Sequence, residues 1–372
     1  MTKKRGNNEG SIYFHKPSKK WCAQVSLEGR RLTHYANTQR ECREWIKETL
    51  AKIDSGLTYR GASLTIADYL KEWLEIVKPT LRPKTWMQYS QVCNQHIIPH
   101  LGRNRLKDLR TDHIQLLYSS NLKEGKSVRT VRLMHSIFRR ALNHALEWGL
   151  LGRNPIHGAK PPIQKKKEMK FLNVNQVRAL LGTVENTRYE ALYHLAVTTG
   201  MRQGELLGLK FQDVNYKQKS IRVQRQLQRI TGQGLVFSEP KTRNAKRLIS
   251  LGDNALGKII SQKDIIDKER LFAGNRWQDF DLIFPSIIGT PHEPRNLYRH
   301  FIKILMQAGL PKIRFHDLRH TAASLMLQRN IHPKVVQERL GHSSISLTID
   351  IYSHAMPSMQ EAIANELDRF LG

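Results

Sequence analysis

Residues Thr199-Gly-Met-Arg-Gln-Gly-Glu-Leu-Leu-Gly-Leu209 are the stretch on which the chain is best read first. Gly200 marks a turn, and Arg202 stands just after it, at the start of a helix. A guanidinium there shares an anion site with the helix N-terminus, because both favour negative charge. Glu205, three residues further on, can hold Arg202 in place. Taken alone, such a pair is more often a surface ion pair, so its meaning depends on what surrounds it.

What surrounds it is strongly cationic. The 372 residues carry 61 Lys plus Arg against 32 Asp plus Glu, a formal net charge of +29, and the pI is about 10.2. An excess this large points to a polyanionic partner, nucleic acid or an anionic membrane face. Three features argue against the membrane. Mean hydropathy is −0.51, no apolar run approaches the ~20 residues of a spanning helix, and the opening ten residues, MTKKRGNNEG, have no apolar core for a signal peptide. With 40 % hydrophobic residues the chain can bury real cores, and its length suits two or three domains. Cys22, Cys42 and Cys93 are odd in number and form no CxxC pair. They imply neither a disulfide framework nor a structural zinc site, and they fit a reducing cytoplasm. The positive excess is +7 over residues 1–60, +12 over 61–170 and +10 over 171–372. Every segment is therefore expected to face the polyanion.

The pattern predicts a mixed, mainly α protein in three parts. Over residues 1–60, Gly10 to Phe14, Trp21 to Leu27 and Arg31 to Tyr35 read as strands, with a turn at Pro17 to Lys20. Thr38 then caps a helix with Cys42, Trp45, Ile46, Thr49, Leu50 and Ile53 on one face. Lys and Arg exposed on a small sheet suit binding to a nucleic-acid groove or backbone; a solvated interaction module is the plainer alternative. Residues 64–160 read as all helix. Thr65 opens one helix, stopped by Pro79; a second runs from near Arg82 towards His96, ended by Pro99 and Gly102. The clearest helix spans Ser127 to Trp148, with Val128, Val131, Met134, Phe138, Leu142 and Ala145 at 3.6-residue periodicity and Arg129, Arg132, Arg139 and Arg140 elsewhere. Four arginines in that segment favour phosphate contact over plain solvation. Pro155, Pro161-Pro162 and Lys165 to Lys167 form the best domain boundary. Residues 170–372 read as one α+β domain, with Val214 to Gln228 and Gly234 to Leu251 as strands of one small sheet and helices after Gly252.

Several chemistries are excluded by what is missing. Gly125-Lys126-Ser127 is no phosphate loop, because Ser120 stands where the first glycine belongs and no strand precedes it. There is no HExxH and no compact carboxylate–histidine cluster for a two-metal nuclease. What remains is a set of cations in defined contexts. Besides Arg202, they are Lys241 in Pro240-Lys-Thr242, His316 and Arg319 in Phe315-His-Asp-Leu-Arg-His-Thr-Ala322, and His342 in Leu340-Gly-His342. Tyr352, in Ile351-Tyr-Ser-His354, follows ten residues later. Each alone has a bland reading: a solvated lysine, a chance HxxR spacing, a packed aromatic near a chain end.

In this order, the set resembles the tyrosine recombinase, or phage-integrase, family, whose catalytic domain carries Arg, Lys, His-x-x-Arg, Leu-Gly-His and a late nucleophilic Tyr. Arg202, Lys241, His316, Arg319, His342 and Tyr352 match in turn, and so do the flanking words TGMRQGELLGL, PKT, HDLRHTAAS, LGHSS and IYSH. Local alternatives stay open: Lys246 beside Lys241, His320 beside Arg319, and His354 beside Tyr352. The resemblance is close over residues 170–372. It extends more loosely to 64–160, as a helical core-site DNA-binding domain, and to 1–60, as an arm-type DNA-binding domain.

The residue types make chemical sense together. Two arginines can grip the non-bridging oxygens of a phosphodiester without a metal. Tyr352 would attack phosphorus to leave a 3′-phosphotyrosyl bond and a free 5′-hydroxyl. A phenol of pKa ~10 needs a base or a cationic field; His316 is the candidate base, Lys241 the acid for the leaving oxygen, and His342 a further hydrogen-bond donor. The linkage conserves the bond energy, so neither ATP nor another cofactor is implied. The resemblance implies an integrase of a phage or conjugative element in a bacterial cytoplasm. It would act as a homotetramer on core and arm attachment sites, with a DNA-bending host factor and an excisionase as further partners. Met359, Ile363, Leu367 and Phe370 form an apolar stripe that packs either on its own domain or on a neighbouring subunit. The alternatives are a type IB topoisomerase-like nicking and closing enzyme and a catalytically silent DNA-binding regulator. The N-terminal module and His342 argue against the first, and six intact candidates argue against the second.

Overall fold

A computed structural model describes residues 10–27, 30–54, 63–165, 169–240, 246–341 and 368–371. They fall in two units, Met1–Lys166 and Lys167–Gly372. Lys241, His342, Tyr352, His354, Met359, Ile363 and Leu367 lie outside the described residues.

In the first unit, β1 (Ser11–His15), β2 (Lys20–Leu27) and β3 (Arg30–Ala36) form an antiparallel sheet in that order. Helix α1 (Gln39–Asp54) packs on one face, where Ala23, Val25 and Ala36 meet Cys42 and Ile46. The Thr38 hydroxyl accepts from the Glu41 N–H at 3.2 Å and caps that helix. Side chains alternate across a strand, so the row Tyr13–Cys22–Tyr35 belongs to the opposite face. Its two tyrosines are exposed.

The helical part of this unit runs α2 (Ile66–Val77), α3 (Pro83–Val92), α4 (Ile98–Leu101), α5 (Thr111–Lys123) and α6 (Val128–Glu147). Thr65 and Ser127 cap α2 and α6 through their hydroxyls. Helix α6 buries Val131, Met134, Ile137, Phe138, Ala141, Leu142 and Ala145. That burial is worth on the order of 10 kcal/mol, against a few tenths for a charge pair on the outer face. The outer arginines therefore add little to the stability of α6 beside its apolar face. Arg132 donates to the Pro162 carbonyl and Arg140 to the Tyr89 hydroxyl, while Arg129 and Arg139 are exposed without a partner among the described residues.

One boundary differs from the sequence expectation. Pro99 does not end the second helix. A π-helical turn, Cys93–Ile97, joins α3 to α4, and its wider ladder lets the chain carry Pro99 into the first turn of α4.

The second unit runs α7 (Val174–Thr183), α8 (Glu190–Thr199), α9 (Gln203–Leu207), β4 (Val214–Asn215), β5 (Ser220–Val223), β6 (Gln226–Ile230), β7 (Gly234–Ser238), β8 (Arg247–Ser250), α10 (Asp253–Ala273), α11 (Pro294–Gln307), α12 (Asp317–Gln328) and α13 (Pro333–Leu340). The strands make two sheets rather than one: β4-β5-β8 and the hairpin β6-β7. The break falls at Gln224 and Arg225, whose side chains turn back onto the buried Asp213 carboxylate and bend the chain between β5 and β6. Leu192, Leu195, Leu206, Ile221, Ile249, Phe301 and Leu318 centre the core between the helices and the three-stranded sheet. A smaller cluster, Ala323, Leu327, Val336 and Leu340, binds α13 to α12.

Gly200 closes α8 at φ +63. A Cβ there would stand 2.3 Å from Leu340 Cδ2 and 3.3 Å from Ala322 Cβ. Only glycine lets the α8 terminus, α12 and α13 converge this closely, and that convergence brings the candidate residues together.

Candidate active site

Arg202 is the N-cap of α9, and Glu205 completes a reciprocal cap. Glu205 Oε2 accepts from the Arg202 backbone N–H at 3.0 Å, and Oε1 accepts from Arg202 Nη1 at 2.7 Å. The i+3 pairing expected from the sequence is present, but it is not a surface pair: the Glu205 side chain is only 2 % exposed. Arg202 Nη2 reaches the Gly341 carbonyl at 3.4 Å, and part of the guanidinium stays open to solvent.

Arg319 comes from the first turn of α12 and is 2 % exposed. Its Nη1 donates to the Gly200 carbonyl at 2.8 Å, while Nη2 is buried with no partner among the described residues. Burial pushes the guanidinium down to about 9, Arg202 pushes the same way, and Glu205 opposes both. It remains protonated at neutral pH, as a buried cation with an unused donor, which an anion at this spot would satisfy.

His316 is the N-cap of α12, at the mouth of the same cluster. Its ring meets His320 edge to face at 5.2 Å between centroids, while the residue keeps a solvent-facing side. Desolvation first, then His320, Arg319 and Arg202, push it down to about 4. It is therefore a neutral imidazole at pH 7, able to accept a proton. Asp317 accepts from Arg314 at 2.7 Å and from the Arg314 backbone N–H at 2.7 Å, fixing the turn that presents His316.

Three of the six candidates, Arg202, His316 and Arg319, thus converge. Gly341, in the left-handed region at φ +67, ends α13 immediately before His342. Lys246, the alternative to Lys241, is exposed and pairs with Glu239 at 3.0 Å. Sequence reasoning missed Arg247 and Arg339. Arg247 donates to Glu205 Oε2 at 3.0 Å and to the Arg339 carbonyl at 2.7 Å. Arg339 donates to the Thr198 and Ser250 carbonyls, both at 3.1 Å. No local spacing marks either, because their partners are far away in sequence.

Among the described residues no group of three or more His, Cys, Asp or Glu side chains is placed to hold a metal ion, and no helix is long and apolar enough to cross a membrane.

Comparisons with known proteins agree with this architecture. Residues 170–359 match the phage integrase family, and residues 65–121 match the N-terminal SAM-like domain of phage integrases. A tyrosine recombinase XerC-like protein of Caldanaerobacter subterraneus subsp. tengcongensis is 29 % identical over 345 residues, covering 88 % of each chain. The ICEBs1 integrase of Bacillus subtilis is 24 % identical, over 93 % of this chain and 94 % of its own. The fold is that of the Tn1549 transposon integrase in complex with a circular intermediate DNA (TM-score 0.69, 19 % identity, 82 % of this chain and 100 % of the other). It is also that of a lambda integrase tetramer bound to a Holliday junction (TM-score 0.57, 19 % identity, 95 % and 98 %).

Proposed function

The chain belongs to the phage integrase family of tyrosine recombinases and is a site-specific DNA recombinase; from that premise we propose that Arg202, Lys241, His316, Arg319, His342 and Tyr352 perform its chemistry. The observation that carries this reading is the buried Arg319 Nη2, without a partner among the described residues, in a cluster where Arg202 and the neutral His316 feel its charge. Arg202 and Arg319 hold the scissile phosphate through its non-bridging oxygens and stabilise the charge that builds on them in the transition state. Tyr352 attacks phosphorus as His316 takes the phenolic proton, giving a 3′-phosphotyrosyl bond. Lys241 returns a proton to the departing 5′-oxygen, and His342 donates to a phosphate oxygen. A second strand's 5′-hydroxyl then reverses the step.

On this reading, residues 64–160 bind core DNA, with the unpartnered Arg129 and Arg139 of α6 on phosphates. Residues 1–60 bind arm-type DNA through the free face of the sheet, where Tyr13, Gln24, Thr33 and Tyr35 share one side. The protein acts as a homotetramer in the bacterial cytoplasm, integrating and excising a phage or conjugative element with the help of a DNA-bending host factor and an excisionase. The lambda integrase tetramer on a Holliday junction supports the assembly by its fold.

The test is a nicked suicide duplex carrying the crossover site. Wild-type protein is expected to trap as a covalent adduct, in EDTA as well as in magnesium. A metal requirement would contradict the cationic site. Deleting residues 1–60 is expected to spare that cleavage and impair recombination between full attachment sites; unchanged recombination would remove the arm-binding role.

The pH profile follows from His316. Its proton-accepting form is present above its pKa, and a folded value of about 4 instead of 6.5 keeps that form available well into acid. The acid limb of kcat/KM for adduct formation is expected below pH 6, since that parameter reports the free enzyme. A limb centred at 6.5 would show a histidine that feels neither its burial nor its cationic neighbours.

A further inference from the structure

Glu205 serves two guanidinium groups, and the second of them belongs to a residue outside the six candidates. Its Oε1 takes Arg202 Nη1; its Oε2 takes the Arg202 backbone N–H and Arg247 Nη2. Arg247 opens β8, its side chain 6 % exposed against 2 % for Glu205. In such a setting, removing one partner leaves an uncompensated buried charge. Arg247 also anchors the neighbouring helix. Its Nε donates to the Arg339 carbonyl in the last turn of α13, immediately before the Gly341 turn whose carbonyl meets Arg202 Nη2. One strand residue therefore ties the carboxylate that fixes Arg202 to the helix end that leads to His342.

The charge count shows what this tie does. One carboxylate shared by two guanidiniums leaves a net positive charge in the group. Burial raises the Glu205 pKa, but Arg247, and then Arg202, outweigh it and hold the group ionised below the usual carboxylate range. Without Arg247, the whole carboxylate charge would fall on Arg202. Its guanidinium would be drawn into a two-toothed pair, and its edge would turn away from the phosphate.

We propose that Arg247 is a positioning residue for strand cleavage, which occupies one oxygen of Glu205 and the carbonyl end of α13 and so keeps the outer edge of Arg202 directed at the scissile phosphate. The proposal rests on the reading of Arg202 as a phosphate ligand. It is tested with the full-length protein on the nicked suicide duplex under single-turnover conditions, comparing wild type, Arg202→Ala, Arg247→Met, Arg247→Lys and the double variant Arg247→Met with Glu205→Gln. Arg247→Met is expected to slow adduct formation on the order of 10²-fold with DNA affinity unchanged. Arg247→Lys keeps a cation beside Glu205 and is expected to recover most of the rate. Glu205→Gln added to Arg247→Met is expected to restore part of it, because the uncompensated carboxylate is gone. Arg247→Met cleaving at the wild-type rate overturns the proposal. So does a double variant no faster than the single one, or a Lys variant as slow as the Met variant. Cleavage and DNA affinity falling together overturn it as well, since that is the mark of a merely structural residue. If Arg202→Ala itself cleaves normally, it is the phosphate-ligand reading that fails.

Discussion

Tyr352→Phe is expected to abolish the covalent protein–DNA adduct while DNA binding is retained. The change removes a single oxygen, and that oxygen is the proposed nucleophile, so the loss should be on the order of 10⁴-fold or more. Three other tyrosines are poorly placed to substitute. Tyr69, Tyr118 and Tyr193 are at most 1 % exposed. Their hydroxyls are engaged with the Ala141 carbonyl, His135 and His300. Burial raises the pKa of all three, which makes each a worse nucleophile. Denaturing electrophoresis after incubation with the suicide duplex reads the result directly. An adduct that survives Tyr352→Phe at comparable yield would mean that the nucleophile lies elsewhere.

Arg319→Met is expected to cost about 10² to 10³-fold in cleavage while leaving the melting temperature unchanged or raising it. The two effects have one cause. A guanidinium 2 % exposed, its Nη2 unpartnered among the described residues, is a burden on the DNA-free fold, and an apolar side chain of similar length removes that burden. The Gly200 carbonyl loses its donor in the exchange, worth about 1 kcal/mol, which offsets part of the gain. Binding of a phosphate reverses the balance, since it satisfies the free donor and neutralises the charge. Core-site DNA should therefore raise the melting temperature of wild type more than that of Arg319→Met. A variant that melts several degrees lower, with an equal gain from DNA, would make Arg319 an ordinary structural residue.

These two expectations differ in where their information comes from. Tyr352 is legible only as one word in an ordered series, because a lone tyrosine near a chain end carries no chemical signal. Arg202 was legible locally: the Gly200 turn, the following helix and Glu205 three residues on are all short-range signals, and the capped helix has them all. Helix α6 was legible for the same reason, from its Ser127 cap to its apolar stripe. The failures were failures of local rules. By local rules Pro99 is a stop, yet a widened turn before it removes the conflict. The pattern from Val214 to Leu251 suits one sheet, yet the hydrogen bonds of Gln224 and Arg225 to Asp213 split it into two. Neither the widened turn nor the Asp213 interaction has a periodicity to betray it.

The sequence by itself supplied the residue types of the candidate site and their order along the chain. Metal-free phosphodiester chemistry needs cations, a base, an acid and a nucleophile, and those requirements are written in side-chain identity. The tertiary structure alone decided the electrostatic state of those side chains. That His316 is neutral, that Arg319 is buried with a donor unpartnered among the described residues, and that Glu205 divides its charge between Arg202 and Arg247 all depend on where α8, β8, α12 and α13 meet. The reason is range: a hydrogen-bond cap acts within one helical turn, whereas desolvation and charge sharing depend on whichever side chains packing brings within a few ångströms, however far apart they are along the chain.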